Sequence, residues 1–101
     1  MSIAKLPIQI DLEKIAAFCR KRGIRKLSLF GSVVRDDFDP ARSDVDVFVE
    51  LLPEARPGWE FFGWAGDLAQ IFGRKVDLCS RLSPYFEDEV KREALTIYEQ
   101  T

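Results

Sequence analysis

A short run of alternating residues limits the possible folds of this chain more than any other feature. Asp44 to Glu50 reads Asp-Val-Asp-Val-Phe-Val-Glu, with β-branched valines at every second position and turn-forming residues on both sides. This alternation predicts a β-strand whose successive side chains point to opposite faces of a sheet. The three valines then face a core, and Asp44 and Asp46 lie side by side on the other face. The fold must therefore contain a sheet with one apolar face and one face that carries paired carboxylates.

The rest of the pattern predicts helices and strands that alternate along the chain. The first predicted elements are a helix capped by Asp11 that runs to about Arg22 and stops at Gly23, and a strand from Arg25 to Phe30. A turn at Gly31–Ser32 then leads into a short helix. After the Asp44–Glu50 strand, the pattern predicts a helix from Trp59 to Phe72, a strand from Lys75 to Cys79, and a helix that starts at Ser83–Pro84 and ends near Ala94. Thr96 to Tyr98 is either the frayed end of that helix or a short terminal strand. This order predicts an α/β or α+β fold, with a small mixed β-sheet flanked by helices, and 101 residues predict one domain, 1–101.

Two helices have informative apolar faces. The stripe on the first helix consists of Leu12, Ile15, Ala16 and Cys19, which makes Cys19 a core residue rather than a reactive thiol. The apolar residues of the Trp59–Phe72 helix cover about half of its circumference, more than a surface helix usually needs. This width has two explanations: a wide core face, or contact of Phe61, Trp64 or Trp59 with another chain.

Composition and charge exclude several function classes. The chain has 15 Lys and Arg against 17 Asp and Glu, and its isoelectric point is about 5.2. We therefore expect no direct binding of nucleic acid, which usually requires a basic excess.

No apolar run resembles a signal peptide or a membrane span, and the two separated cysteines do not call for an oxidising compartment, so a cytoplasmic location is expected. The absence of histidine excludes His-based metal sites and leaves carboxylate sites for Mg²⁺, Mn²⁺ or Ca²⁺.

The paired carboxylates point to such a site. Asp44 and Asp46 repel each other if both are ionised at close range, and a divalent cation between them relieves that repulsion. Asp77 lies in an apolar strand, and it joins the same site if that strand lies beside the Asp44–Asp46 strand. Three carboxylates would form an oxygen-only site of the kind that Mg²⁺ occupies together with phosphates. Each acid alone also fits an exposed strand-end or loop position.

The Gly31–Ser32 turn adds a second feature. A strand that leads into Gly-Ser and then into a short helix leaves backbone N–H groups unpaired, and these groups and the serine hydroxyl can hold phosphate oxygens. A plain tight turn with a capping serine is the alternative. Asp36, Asp37 and Asp39, which follow, are interpreted as solvated loop residues that form turns.

Together these residues resemble a known family. Gly31–Ser32, Arg35, the run from Ser43 to Asp46 and the later Asp77 are similar to the motif of minimal nucleotidyltransferases (MNT proteins) of the DNA polymerase beta superfamily. The resemblance extends from about Asp11 to Tyr98. MNT proteins are often paired with HEPN-domain partners in bacterial and archaeal toxin–antitoxin modules.

The resemblance implies a role for each matched residue and a polymerase beta-like nucleotidyltransferase fold. The residues expected to bind the nucleotide and its phosphates are Gly31, Ser32, Arg35 and Ser43, and those expected to hold two Mg²⁺ ions and to carry catalysis are Asp44, Asp46 and Asp77. Asp77 would also help to deprotonate the acceptor. Asp36 departs from the pattern, because many relatives have a small residue after the arginine.

The resemblance also implies an activity and a partner. The expected reaction transfers a nucleoside monophosphate, AMP from ATP, to a hydroxyl of a HEPN-type toxin, with the chain as the antitoxin of a hetero-oligomer. One alternative is a catalytically weak antitoxin that acts by direct binding. Another is a small-molecule nucleotidyltransferase of the aminoglycoside type, which the lack of an acceptor domain disfavours. Self-association into a homo-oligomer is also compatible with the sequence.

Overall fold

Helices and strands alternate along the chain as predicted. The computed structural model describes residues 5–35, 37–80, 85 and 87–100. Its elements are α1 (Leu12–Arg22), β1 (Ile24–Phe30), β2 (Val45–Leu51), α2 (Trp64–Phe72), β3 (Val76–Cys79), α3 (Glu87–Glu93) and β4 (Leu95–Glu99). Two 3₁₀ helices, Gly31–Val34 and Gly58–Gly63, precede β2 and α2.

The strands form one mixed sheet in the order β3-β2-β1-β4. The pair β2–β3 is parallel, whereas β1 pairs with both β2 and β4 in antiparallel fashion. This sheet and its flanking helices confirm the predicted α+β class. The sheet places β2, which carries the Asp44–Asp46 region, between β1 with its Gly31 turn and β3 with Asp77.

The two faces of the sheet differ in polarity. Val45, Val47 and Val49 are fully buried on the face that α1 and α2 cover. The opposite face carries Ser28, Asp46 and Glu50 among others, and α3 lies along part of it. The predicted valine core face is therefore confirmed, and the site residues lie on the other side of the sheet.

Helix α1 begins and ends where its capping residues predict. The Asp11 carboxylate accepts a hydrogen bond from Lys14 N at 3.2 Å, and Gly23 adopts φ 72°, the left-handed conformation that ends a helix. Cys19 is fully buried, and burial raises the pKa of its thiol to about 12. Its predicted role in packing is therefore confirmed. The prediction that Leu12 lies on the buried stripe is wrong, because Leu12 lies on the first turn and is 44% exposed, while Phe18 packs in the core instead.

The predicted helix from Trp59 to Phe72 is two elements. A 3₁₀ helix covers Gly58–Gly63, and α2 begins only at Trp64. Glycines at both ends of the first segment disfavour a continuous α-helix, because glycine loses more backbone freedom on folding than other residues. Trp64 is 2% exposed and belongs to the core, whereas Trp59 is 88% exposed. Contact with another chain is thus excluded for Trp64 and stays a prediction for Trp59 and for Phe61, which is partly buried against the core.

The structure decides between the two predictions for Thr96 to Tyr98. Leu95–Glu99 form β4, which pairs with β1, rather than the frayed end of a helix. Helix α3 ends at Glu93, close to the predicted Ala94. Its predicted start at Ser83–Pro84 lies outside the described residues. No helix in the described part of the chain has the length and apolar character needed to cross a membrane.

Candidate active site

The site begins with the turn at the end of β1. Gly31 adopts φ 73°, a conformation that favours glycine, and opens the 3₁₀ helix Gly31–Val34. A Cβ atom at this position would overlap Oδ2 of Asp46. Glycine is therefore required both by the backbone conformation and by the space that the Asp46 carboxylate occupies. The consequence is that an acid lies directly against the backbone of the Gly31–Ser32 turn.

Pairing of β2 with β3 brings two acids together. Asp46 and Asp77 are direct partners in the parallel register, so their side chains leave the same face of adjacent strands. The conditional prediction that β3 lies beside β2 is confirmed. Asp44 lies one residue before β2, and its Oδ2 forms an ion pair with Lys75 Nζ at 3.8 Å.

The pKa of Asp46 reflects its partial burial first and its acidic neighbours second. Partial burial raises the pKa of Asp46 above its usual value, and the nearby charges of Asp77 and Asp44 raise it further, while Arg35 acts in the opposite direction. The same surroundings act on Cys79, since burial and then the charges of Asp77 and Asp46 raise the pKa of its thiol. Cys79 therefore stays protonated at neutral pH and is a poor nucleophile. Because Asp46 and Asp77 lie side by side, this part of the site favours a cationic ligand over an anionic one.

One cavity of about 430 Å³ opens onto these residues. Four of the seven predicted site residues line it: Gly31, Arg35, Asp46 and Asp77. The other lining residues are Phe30, Cys79, Glu89, Val90 and Glu93. The cavity thus lies between the polar face of the sheet and α3.

The other three predicted site residues do not line the cavity. Ser43 stabilises the preceding loop: its hydroxyl accepts a hydrogen bond from Asp39 N at 2.9 Å, and its own N–H donates to the Asp39 carbonyl at 2.7 Å. The carbonyl of Ser32 accepts from Arg35 N at 3.0 Å, which closes the 3₁₀ turn. Asp44 is turned toward Lys75, as described above. Asp39 forms the predicted turn, and Asp36 lies outside the described residues.

The sequence did not reveal that Glu93 belongs to the site. Its Oε1 accepts a hydrogen bond from Gly31 N at 3.3 Å, and its Oε2 lies 3.8 Å from Arg35 Nη1. The prediction that the turn leaves its N–H groups unpaired is therefore wrong for Gly31, because a distant side chain provides the acceptor. Arg35 also pairs with Asp37 through Nε at 3.5 Å. Glu93 follows Gly31 by 62 positions, and no spacing rule links the two. Only the packing of α3 against the sheet brings them together.

Comparison with known families identifies this arrangement. Residues 12–99, most of the chain, match the family model described as a nucleotidyltransferase domain. The chain is a member of this nucleotidyltransferase family. The match includes every residue that lines the cavity.

One similar protein has nearly the same length as this nucleotidyltransferase, and longer chains of solved structures share its fold. A candidate protein adenylyltransferase of Methanocaldococcus jannaschii is 27% identical over 86 residues, which cover 83% of this chain and 90% of the relative. A chain of a toxin–antitoxin crystal structure with AMP-PNP superimposes with a TM-score of 0.70 at 20% identity, covering 90% of this chain and 75% of the other. A structure of a tri-AMPylated Shewanella oneidensis HEPN toxin with its MNT antitoxin gives 0.61 at 19% identity, covering 88% and 70%. The fold is therefore that of these toxin–antitoxin nucleotidyltransferase chains.

The donor set of this nucleotidyltransferase suits a hard divalent cation. Asp46 and Asp77 provide carboxylate oxygens on one sheet face, and burial, followed by the charges of Asp77 and Asp44, raises the pKa of Asp46. Within the described ranges, no three acidic or cysteine side chains converge closely enough to form a finished cage. Asp44 must exchange its 3.8 Å contact with Lys75 for the site to gain a third carboxylate. Asp46 and Asp77 by themselves offer oxygen ligands of the kind that Mg²⁺ prefers, and binding of the ion is part of the function proposed below.

Proposed function

We propose that this nucleotidyltransferase transfers AMP from ATP to a hydroxyl of a partner protein of the HEPN toxin class, and that it thereby acts as the antitoxin of the pair. The similar M. jannaschii protein is described as a candidate protein adenylyltransferase. Neighbouring folds occur in a toxin–antitoxin complex with AMP-PNP and in a complex that holds an AMPylated HEPN toxin. These relatives support the acceptor class, and the site geometry supports the transfer.

A single juxtaposition carries the proposal. The Asp46 carboxylate lies against the backbone of Gly31, in a cavity that Arg35 and Asp77 also line. A backbone N–H and a guanidinium bind phosphate oxygens, and adjacent carboxylates bind a divalent cation. A nucleoside triphosphate complexed with Mg²⁺ needs both kinds of contact within a few ångströms. The cavity brings the Gly31 turn and Arg35, which follow β1, together with acids of β2 and β3.

The proposed reaction divides the work among these residues. Gly31 N–H and Arg35, which line the cavity, hold the phosphates and orient the α-phosphorus toward the acceptor. The Ser32 hydroxyl, which lies outside the lining, joins them only if the turn rearranges. Asp44, Asp46 and Asp77 would hold Mg²⁺ (two ions), which neutralises phosphate charge and makes the acceptor hydroxyl easier to deprotonate. The acceptor oxygen forms a bond to the α-phosphorus as the bond to pyrophosphate breaks. Asp77, at the exposed edge of the site, would help to remove the hydroxyl proton.

An exposed aromatic pair supports a protein partner. Trp59 and Phe62 are 88% and 75% exposed, and their ring centroids lie 5.8 Å apart. Large exposed aromatic side chains are enriched at protein interfaces.

The proposed use of ATP as substrate agrees with the cytoplasmic location expected from the sequence. Ser43, as part of the loop before Asp44, would contribute to nucleotide binding only if that loop rearranges.

The direct test follows labelled phosphate. The purified chain is incubated with Mg²⁺, the protein encoded by the adjacent gene, and ATP labelled at either the α- or the γ-phosphate. We expect label on the partner from α-labelled but not from γ-labelled ATP. The Asp44→Ala/Asp46→Ala variant should abolish transfer. Asp67→Asn, a change of an exposed acid on α2, is the control that should leave transfer unchanged.

Other outcomes identify the alternatives. Neutralisation of the partner by the Asp44→Ala/Asp46→Ala variant, without any transfer by the wild type, would establish an antitoxin that acts by contact. Transfer of label to a small hydroxyl compound instead of the protein would establish a small-molecule nucleotidyltransferase. Transfer from γ-labelled ATP would show a kinase-type reaction and contradict the proposal.

A further inference from the structure

The strongest unassigned feature is the position of Glu93, the last residue of α3. Its two carboxylate oxygens contact two different groups, the N–H of Gly31 at 3.3 Å and the guanidinium of Arg35 at 3.8 Å. Its side chain is 31% exposed and lines the same cavity as Asp46 and Asp77. Glu93 thus contacts the Gly31 N–H and the Arg35 guanidinium in a cavity that Asp46 and Asp77 already make acidic.

The two groups that Glu93 contacts are the phosphate-binding groups of the proposed function. Carboxylate and phosphate oxygens are interchangeable acceptors for a backbone N–H and a guanidinium. We propose that Glu93 occupies the position of a phosphate in the nucleotide-free chain, and that the triphosphate displaces it on binding. The proposal rests on the proposed function, because it concerns the same cavity.

Such an exchange makes Glu93 a determinant of affinity and of ligand class. A ligand must bring enough negative charge to replace the carboxylate on both Gly31 and Arg35. A triphosphate with Mg²⁺ meets this condition, whereas a nucleoside without phosphates does not. The contacts are long and partly solvated, so they are weak enough to be exchanged. Glu93 therefore selects for polyphosphate and keeps Arg35 positioned while the site is empty.

A purely structural role for Glu93 would change the nucleotide affinity in the opposite direction. If Glu93 only orders the Gly31 turn, its removal loosens the phosphate-binding groups and weakens nucleotide binding. If it competes with phosphate, its removal strengthens binding. The sign of the change in affinity therefore separates the two roles, and a general loss of folding would weaken binding rather than strengthen it.

The experiment uses calorimetric titration of the full chain with Mg²⁺ and α,β-methylene-ATP, an analogue that cannot be transferred. We expect Glu93→Gln to bind about three- to tenfold more tightly than wild type, since a partly exposed charged contact has been removed. Glu93→Ala should bind at least as tightly as Glu93→Gln. Glu89→Gln is the matched control, because it removes the same charge from the lining of the same cavity. Its affinity should change less than that of Glu93→Gln.

A second readout checks the contact itself. The amide resonance of Gly31 in a ¹⁵N correlation spectrum should move in ligand-free Glu93→Gln and not in Glu89→Gln. An unmoved Gly31 resonance in Glu93→Gln, or unchanged or weaker binding of the analogue by that variant, would overturn the inference while leaving the proposed function intact. If neither wild type nor variants bind the analogue, the proposed function fails and the inference falls with it. Tighter binding by the variant supports both.

Discussion

Gly31 is the residue at which conformation and chemistry depend on each other most closely. Its φ of 73° disfavours any side chain, and a Cβ would overlap Asp46 Oδ2. Gly31→Ala should therefore lower the free energy of unfolding by about 1–2 kcal/mol, the usual cost of a left-handed alanine, and should also displace Asp46. Denaturant unfolding and titration with Mg²⁺ and α,β-methylene-ATP measure the two effects.

Gly66→Ala is the matched control for this prediction. Gly66 lies inside α2, its φ is not positive, and a Cβ there would meet no atom within 4 Å. Alanine at this position should raise stability by about 0.5–1 kcal/mol, because it restricts the unfolded chain and favours the helix. Nucleotide binding should stay unchanged. Equal effects of the two substitutions would show that Gly31 has no special role.

Asp46 should reduce stability in the absence of metal. Its pKa is raised in the folded chain by burial and by Asp77 and Asp44, so the ionised folded form is disfavoured. The penalty is fully present above the raised folded pKa and disappears below the unfolded value of 3.8. Asp46→Asn should therefore be more stable than wild type at pH 7, by less than about 1 kcal/mol, because the carboxylate is only partly buried and solvent screens its charge.

The pH dependence tests this prediction. Chemical denaturation of both proteins, with a chelator present, should show the difference at pH 7 and its decrease as the pH approaches 3.8. Added Mg²⁺ should stabilise wild type more than Asp46→Asn, because metal binding requires the ionised carboxylate. A difference that grows at acid pH would contradict the origin proposed for it.

At the scale of the elements, the parallel register of β2 and β3 creates the site. Asp46 is opposite Asp77, while Val45 is opposite Val76 in the core. A slip of one residue would turn Asp77 toward the apolar face and leave Asp46 without its neighbour. The buried valines thus fix the register, and the register fixes the separation of the acids.

The two tryptophans near α2 should behave very differently on substitution. Trp64 is 2% exposed and contacts the Phe18 ring at a centroid distance of 6.2 Å, so Trp64→Ala should cost about 3–5 kcal/mol. Trp59 is 88% exposed, and Trp59→Ala should change the free energy of unfolding by less than about 0.5 kcal/mol. Urea unfolding of both variants compares them directly. A large loss of stability in Trp59→Ala would show that this residue packs within the chain.

Sequence alone predicted those elements that local signals define. The caps at Asp11 and Gly23, the alternating valines of β2 and the Gly31 turn are short-range features, and each has its predicted structure. The sequence pattern does not predict the break before Trp64, because the aromatic residues continue the apolar helical spacing and outweigh the weak helix propensity of the glycines. The contact of Glu93 with Gly31 joins residues 62 positions apart, so it depends on tertiary packing that no local pattern records.

At the scale of the whole molecule, the residues that stabilise the fold and those that form the candidate site lie on opposite faces of the sheet. Helices α1 and α2 bury the apolar face, while the Gly31 turn, Asp46 and Asp77 open onto the cavity beside α3. This arrangement allows the acidic site to change without disturbing the main core. It also leaves Trp59 and Phe62 exposed near the start of α2 for the proposed partner.

The most direct test of the central claim is an anomalous difference map from a crystal of the chain with Mn²⁺ and α,β-methylene-ATP. We expect a metal peak between Asp46 and Asp77, phosphate oxygens on Gly31 N–H and Arg35, and Glu93 moved away from both groups. A nucleotide bound elsewhere, or a metal peak remote from these two acids, would contradict the claim that the Gly31 turn and the acid pair form one nucleotidyl-transfer site.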